Sequence, residues 1–339
     1  MPDASASGTS APAPVRLVQR VVEVDGRRVG VATAGRGTPL VMVHGFGVES
    51  LLYAQPLARL VGLGFRVYAL DIAGHGATDS VGMCAALDGY CDLVERTVEQ
   101  LGIQRALFMG HSMGGRIVAE VVARDPQRAI ALVLLDPIAG ASWDAMRPWL
   151  RWFPPALALY GAAAVVDVTS TLPALVDARQ AIKIGRRVRQ SVRSIVTEPW
   201  NGLMAGAAVL RATPSVDTLA RVGADGVPSV VIQGSADLLV PESAARDAAA
   251  RLGATYVSVE GGRHSWMVRD PEALPAIVET LLDGVLGDAM RAAGITDAMS
   301  LDERNTLCLR ADRTPDTIEP VDVVLPTTRR APRFGFRVV

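Results

Sequence analysis

Lysine is almost missing from this chain. Lys183 is the only one, so nearly all positive charge is arginine. Neither sign dominates: 34 Lys+Arg stand against 35 Asp+Glu, for a formal charge of -1. That balance leaves no electrostatic case for nucleic acid or an anionic membrane surface as partner. Cysteine is scarce as well. Cys84, Cys91 and Cys308 are an odd number without metal-ligand spacing, which argues against a disulfide framework and a zinc site. A reduced, cytoplasmic setting is the simplest reading. The opening MPDASASGTSAPAP lacks a basic n-region and an apolar h-region, so residues 1–14 read as a flexible tail and not a signal peptide. The most apolar run, Ala156 to Val168, is broken by Tyr160, Gly161 and Asp167 and is too short to span a membrane. What the 339 residues do have is apolar mass. Half are hydrophobic and 20% are charged, which excludes general disorder and allows one large domain or two ordinary ones.

The apolar mass is arranged in alternation. Val15 to Val24 and Arg28 to Ala34 are β-rich and joined at Asp25-Gly26, a hairpin signal. Short continuous apolar runs follow at Pro39–Val43, Phe65–Leu70, Arg105–Gly110, Ile130–Leu135, Ser229–Gln233 and Thr255–Glu260. Such runs suit strands covered on both faces. Helical patterns lie between them over Ser50–Leu63, Leu87–Leu101, Arg116–Ala123 and Glu242–Leu252. Another begins at Asp270-Pro271, an aspartate N-cap with proline at N1, and runs to about Leu286. Repeated βα units predict an α/β fold, a mostly parallel sheet with helices on both faces. The alternation breaks over Ala139–Asp217, where tryptophans and Pro154-Pro155 accompany apolar helical stretches. It stops again after residue 286.

One junction carries chemistry. The run ending at Met109 enters Gly110-His111-Ser112-Met113-Gly114-Gly115, and a helix follows. Strand, sharp turn and helix are the context of a nucleophile elbow. Residues flanking the serine must be very small, because a Cβ there would strike the neighbouring strand or helix. The bland alternative is a glycine-rich turn with an incidental serine. A serine hydroxyl needs a base, and the base needs an orienting acid. Four histidines are available. His44 and His75 sit in glycine-flanked loops and read as structural. His111 adjoins Ser112, so its ring should point away from the hydroxyl. His264, in Gly261-Gly262-Arg263-His264-Ser265-Trp266, follows the last predicted core strand. Asp237, in the loop after Gln233, is the candidate acid, with Asp136 at the preceding strand end as the weaker substitute.

Ser112, Asp237 and His264 stand in the order of α/β-hydrolases. The chain resembles that superfamily, in its serine esterase and lipase-like branch, over about residues 15–286. His44-Gly45-Phe46-Gly47 looks like the family's oxyanion loop, and Asp71 to Asp79 resembles its D-x-x-G-x-G segment. The resemblance implies an eight-stranded sheet. It implies an oxyanion hole made by the backbone N–H groups of Phe46 and Met113, and a helical cap inserted after the sixth strand. Residues 15–138 and 214–286 would then be the core and 139–213 the cap. Residues 287–339 would be an appendage on core or lid. Relatives with an aspartate nucleophile, such as haloalkane dehalogenases and epoxide hydrolases, are excluded by Ser112.

The expected activity is hydrolysis of a carboxylic ester of an apolar small molecule through an acyl-enzyme, without metal or cofactor. A thioester is the nearest variant substrate. The same elbow also serves acyltransfer, C–C hydrolysis, and lyase or cyclase chemistry, and the tail after Leu286 could shield such a site from water. A slow-turnover ligand-binding protein is the reading from another class. Gly45, His111, Trp143 and Trp266 are the pocket candidates, the tryptophans having burial of the cap as their bland alternative. Arg179, Arg186, Arg187, Arg189 and Arg193 form either a solvated helix face or a site for a carboxylate or carrier-protein partner.

Overall fold

Apolar runs that are hydrophobic at every position need cover on both faces, and the sheet supplies it. The computed structural model describes residues 15–82, 86–171, 199–310, 318–325 and 330–339. The tail 1–14, Cys84 and the arginines from Arg179 to Arg193 lie outside the described residues. Strands β1 (Val15–Val24), β2 (Arg27–Gly35), β3 (Thr38–Val43), β4 (Phe65–Leu70), β5 (Ala106–His111), β6 (Ala129–Leu135), β7 (Ser229–Gly234) and β8 (Thr255–Val259) match the predicted runs within two residues. Every residue of β3, β5, β6 and β7 is buried. Their side chains alternate between two cores, as the period of two requires. Val41, Val43, Phe108 and Leu132 enter one, and Leu40, Met42, Leu107 and Val133 the other.

Among the described residues the sheet has ten strands, not the expected eight, in the order β10-β8-β7-β6-β5-β3-β4-β2-β1-β9. The extra two come from the C-terminal segment. β9 (Ile318–Leu325) pairs antiparallel with β1, and β10 (Phe336–Val338) with β8, so each covers one edge of the sheet. Sequence pattern hides them because β9 carries Pro320 within it, β10 has only three residues, and the strand state of both comes from pairing with an edge. The six central strands are parallel. The chain runs from β3 to β4 on one side and later to β5 on the other. That reversal opens a crevice at the carboxyl ends, where α/β sheets bind ligands.

Among the described residues, four helices lie between β6 and β7: Ala141–Trp152, Pro154–Thr171, Pro199–Arg211 and Ser215–Ala224. Asp144 ties the two ends of this insertion together. Its Oδ2 accepts from the Ser215 backbone N–H at 2.6 Å and from Val216 N–H at 3.2 Å, so a neighbouring helix caps the one that starts at Ser215. The helix expected from Asp270 to Leu286 is two helices, Ala273–Leu282 and Val285–Ala292. At the entry to the first, Asp270 Oδ1 accepts from Glu272 N–H at 3.3 Å. Its Oδ2 accepts from the N–H groups of Arg333 and Phe334, at 2.6 and 3.1 Å, and also holds the C-terminal segment.

The helix Leu301–Cys308 starts at a full capping box, Ser300 with Glu303. The Cys308 carbonyl accepts from Gln104 N–H at 2.8 Å, just before β5 begins. This helix therefore sits at the amino ends of the parallel strands, opposite the crevice. Among the described residues, the C-terminal segment contacts sheet edges and amino ends and does not cover Ser112, so it gives no support to a water-shielding role. Cys91 and Cys308 are buried thiols.

Candidate active site

Ser112 stands between β5 and the helix Met113–Arg124 with φ 54 and ψ -116. A non-glycine residue in that region stores about 1–3 kcal/mol of strain. The surroundings impose it. A Cβ on Gly110 would meet the Gly114 carbonyl oxygen, and a Cβ on Gly114 the Val43 carbonyl oxygen. The Ser112 N–H donates to Leu135 O at 2.9 Å, and its carbonyl accepts from Ile138 N–H at 3.3 Å. The end of β6 and the loop just beyond it thus hold the backbone of the elbow. Met113 is the first residue of the helix, where N–H groups have no intrahelical partner and the dipole favours negative charge. Among the described residues, neither Met113 N–H nor Phe46 N–H donates to another group.

The loop after β3 is fixed by two buried histidines. His44 Nδ1–H donates to Gly45 O at 2.7 Å, which leaves Nε2 to accept from Ile72 N–H at 3.0 Å. His75 Nε2 accepts from Gly47 N–H at 3.2 Å, and its Nδ1–H donates to Ala73 O at 3.1 Å. Burial lowers both to a pKa of about 4, so both rings are neutral. Asp71 accepts from Ser50 N–H at 2.8 Å and Ala77 N–H at 3.0 Å, tying the loops after β3 and β4. Gly45 lies against the elbow. A Cβ there would stand 2.8 Å from His111 Nδ1 and 3.2 Å from Ser112 Cβ.

At the ends of β7 and β8, His264 Nδ1 meets Asp237 Oδ2 at 2.8 Å. Asp237 Oδ1 accepts from Leu239 and Val240 N–H at 2.7 and 3.0 Å, and Oδ2 also from Gln233 Nε2 at 3.0 Å. Burial opposes the Asp237 charge, but His264 and the backbone donors outweigh it and hold the carboxyl below its ordinary range. Burial likewise opposes a charged His264. The charge and hydrogen bond of Asp237, then Asp136 and Asp167, outweigh it and raise the ring to about 9.

Asp136 is fully buried. Its Oδ1 accepts from Gly234 N–H and its Oδ2 from Trp266 Nε1, each at 2.7 Å. Burial, reinforced by the charge of Asp237, pushes its carboxyl well above the ordinary range. Two carboxylates so close to one another do not both ionise readily. Ligand atoms of Asp136, Asp237 and His264 lie within 4.8 Å of one another, a spacing that suits a cation. N–H donors already engage both Asp136 oxygens, and Asp237 faces the imidazole, so hydrogen bonds meet the charge of this group.

His111 points away from the hydroxyl. Its Nε2 lies 2.7 Å from the His264 carbonyl, which can only accept, so Nε2 carries the proton. Nδ1 then accepts from Tyr53 O–H at 2.8 Å. Burial lowers the ring to about 3. It joins the elbow to the His264 loop. Trp266 is 0% exposed and its N–H is committed to Asp136, so it belongs to the core and offers no ring face to a pocket. Trp143 is also buried, 6.0 Å from the Tyr160 ring. Trp149, Trp152 and Trp200 are exposed. The Phe46 ring is half exposed and reaches Gly202 and Gly206 of the helix Pro199–Arg211. Sequence reasoning missed Tyr53, Gln233 and Asp167, whose carboxylate accepts from the His264 backbone N–H at 3.0 Å. The signal for Asp167 was present as a lone acid in an apolar run.

A six-stranded parallel centre, a strained serine at the carboxyl end of β5 and an Asp–His pair at the carboxyl ends of β7 and β8 define a protein of the α/β-hydrolase fold. Residues 37–272 match the family described as serine aminopeptidase, S33, and the chain belongs to that family. A protein of Mycobacterium phage D29 that carries the name of a non-heme haloperoxidase is 36% identical over 276 residues, covering 78% of this chain and 95% of its own. A pimeloyl-[acyl-carrier protein] methyl ester esterase of Aliivibrio fischeri is 24% identical, covering 63% of this chain and 81% of its own. Among solved structures, a bacterial membrane phospholipase A superposes with TM-score 0.63 at 22% identity, covering 79% of this chain and 86% of that one. A Pseudomonas aeruginosa PA01 hydrolase gives 0.62 at 22%, covering 83% and 100%. Both likenesses are of fold. Among the described residues, no helix is long and apolar enough to cross a membrane.

Proposed function

We propose that the chain is a serine hydrolase that cleaves a carboxylic ester of an apolar small molecule through an acyl-enzyme. The observation that carries this reading is the 2.8 Å contact of His264 Nδ1 with Asp237, at the same sheet edge as the strained Ser112. Ser112 Oγ attacks the ester carbonyl and His264 Nε2 takes its proton. Asp237 holds the imidazole tautomer and stabilises the imidazolium. The N–H groups of Phe46 and Met113 receive the developing oxyanion, each such donor being worth about 2.7–4 kcal/mol. His264 then protonates the leaving alcohol and activates water for deacylation. The helices of residues 139–213 serve as the cap over this edge, with the Phe46 ring against one of them. The esterase named among the relatives supports an ester or thioester substrate.

The first test is labelling with a fluorophosphonate. An adduct on Ser112 is expected, lost in Ser112→Ala, and folded protein without an adduct would sink the reading. A chain-length series of p-nitrophenyl esters and matching thioesters then ranks substrates, with esters of medium acyl length expected to turn over best. Asp237→Asn should lower kcat by about 10⁴, the size reported for loss of the orienting acid in serine proteases. Asp136→Asn should keep most activity and lose stability instead, because one buried N–H donor would face an NH₂ group, at about 1–3 kcal/mol.

A further inference from the structure

His264 is held at three points. Asp237 takes its ring, His111 Nε2 donates to its carbonyl at 2.7 Å, and Asp167 Oδ1 accepts from its backbone N–H at 3.0 Å. The first two partners stand on or just beyond strands of the sheet. Asp167 instead belongs to the helix Pro154–Thr171, in the insertion.

This helix carries one charged residue among eighteen, and it is Asp167. A buried carboxylate without partners is costly, and a solvated helix would turn its acid outward. Here the order is inverted. Asp167 is 0% exposed while its neighbour Val166 is 50% exposed. The loop that Asp167 grips follows Gly261, at φ 66, and Gly262, two residues that contribute little rigidity of their own. An N–H in such a loop keeps its place through its acceptor.

We infer that Asp167 is a positioning residue, through which the inserted helices set the placement of the His264 imidazole. The inference rests on His264 being the base in the reading above. A base displaced by about 1 Å loses up to about 100-fold in rate, so one backbone bond at this loop is enough to matter. The helix also brings charge. The groups that face His264 are Asp237, Asp136, Asp167 and His111, with Arg263 beside it in the chain and Tyr160 near Asp237. Asp167 adds to the negative side of that set, so its removal should lower the His264 pKa.

The test compares Asp167→Ala with Asp167→Asn, whose amide oxygen can still accept the N–H. Hydrolysis of p-nitrophenyl butyrate is read on the alkaline plateau, where a shifted pKa does not alter the fraction of neutral base. In Asp167→Ala, kcat should fall about tenfold with KM within about twofold. In Asp167→Asn, kcat should return to within about threefold of wild type. In both variants the acid limb of kcat/KM should move to lower pH. A change that only loosened the fold would not shift that limb. Wild-type kcat and limb in both variants, or an Asn variant as slow as the Ala variant on the plateau, overturns the inference. NMR of protein labelled with ¹⁵N-histidine gives a readout without catalysis. The His264 amide should move in Asp167→Ala and stay in Asp167→Asn, while its ring titrates at lower pH in both. If the wild type neither labels at Ser112 nor cleaves esters, the hydrolase reading fails, and these shifts still decide the role of Asp167. An amide unmoved in the Ala variant rejects it.

Discussion

His44, His75 and His111 have both ring nitrogens bonded inside the protein, and burial lowers their pKa values to about 4, about 4 and about 3. Below pH 6.5 the unfolded chain takes up protons that these native rings refuse. Their contribution to stability is therefore lost as pH falls from about 6.5 to about 4, by up to about 3 kcal/mol for each of His44 and His75. His264 runs the other way. Its ring is raised to about 9, so its contribution is full below about 6.5 and is lost as pH rises through about 9. If His264 is the base proposed above, only its neutral ring can accept a proton, so activity should climb over the window in which that contribution fades. Buried Asp71 and Asp136 lean against the acid-side loss, since burial raises both. A difference measurement separates the terms. Between pH 6 and 5, His75→Gln should lose less stability than wild type by about 1.4 kcal/mol per pH unit, read by urea unfolding. Parallel curves would refute that assignment. The triad candidates were legible because serine, aspartate and histidine each fall just past an apolar run. Asp167 stood out as a lone acid in an apolar run, but its partner was not legible, since a sequence does not say which loop an acid in a distant helix will reach.

Among the elements, the loop after β3 and the elbow after β5 depend most on backbone space. Val43 pairs with Gly110 across these strands, so the loop and the elbow emerge side by side. Gly45→Ala should keep the fold but push on His111 and Ser112, and ester turnover should fall at least about tenfold with little change in melting temperature. Gly114→Ala is the contrasting case, because its Cβ would meet backbone of β3, and the yield of folded protein should drop instead. If both lost melting temperature alike, the loop would be merely structural. Central strands and their helices were readable from continuous apolar runs and the 3.6 period. One helix was misjudged from local sequence. The helix expected to run from Asp270 breaks near Gly284, and its predicted cap residue divides its oxygens between Glu272 N–H and the C-terminal segment. Local pattern carries propensity, whereas the partner of a carboxylate is decided by tertiary neighbours.

For the whole molecule, the decisive addition is the pair of edge strands. Without β9 and β10, the sheet would present β1 and β8 as open edges, which are templates for pairing with another chain. A chain ending at residue 310 should associate at concentrations where the full chain does not, as seen by size-exclusion chromatography. Labelling of Ser112 per folded molecule should persist, because the described contacts of the tail avoid the crevice. Loss of labelling together with a native circular dichroism spectrum would place the tail in the site after all.

Leu325 ends β9 and Phe336 begins β10, eleven residues later, yet they lie on opposite margins of a ten-stranded sheet. Eleven residues reach at most about 40 Å when fully extended. Nine strand spacings in a flat sheet come to about 43 Å. A flat sheet is therefore too wide for its own strap, and the margins must curl toward each other for both strands to seat. The length of that connection acts as a ruler on curvature, so the protein carries in its last residues an upper limit on how far its sheet can open.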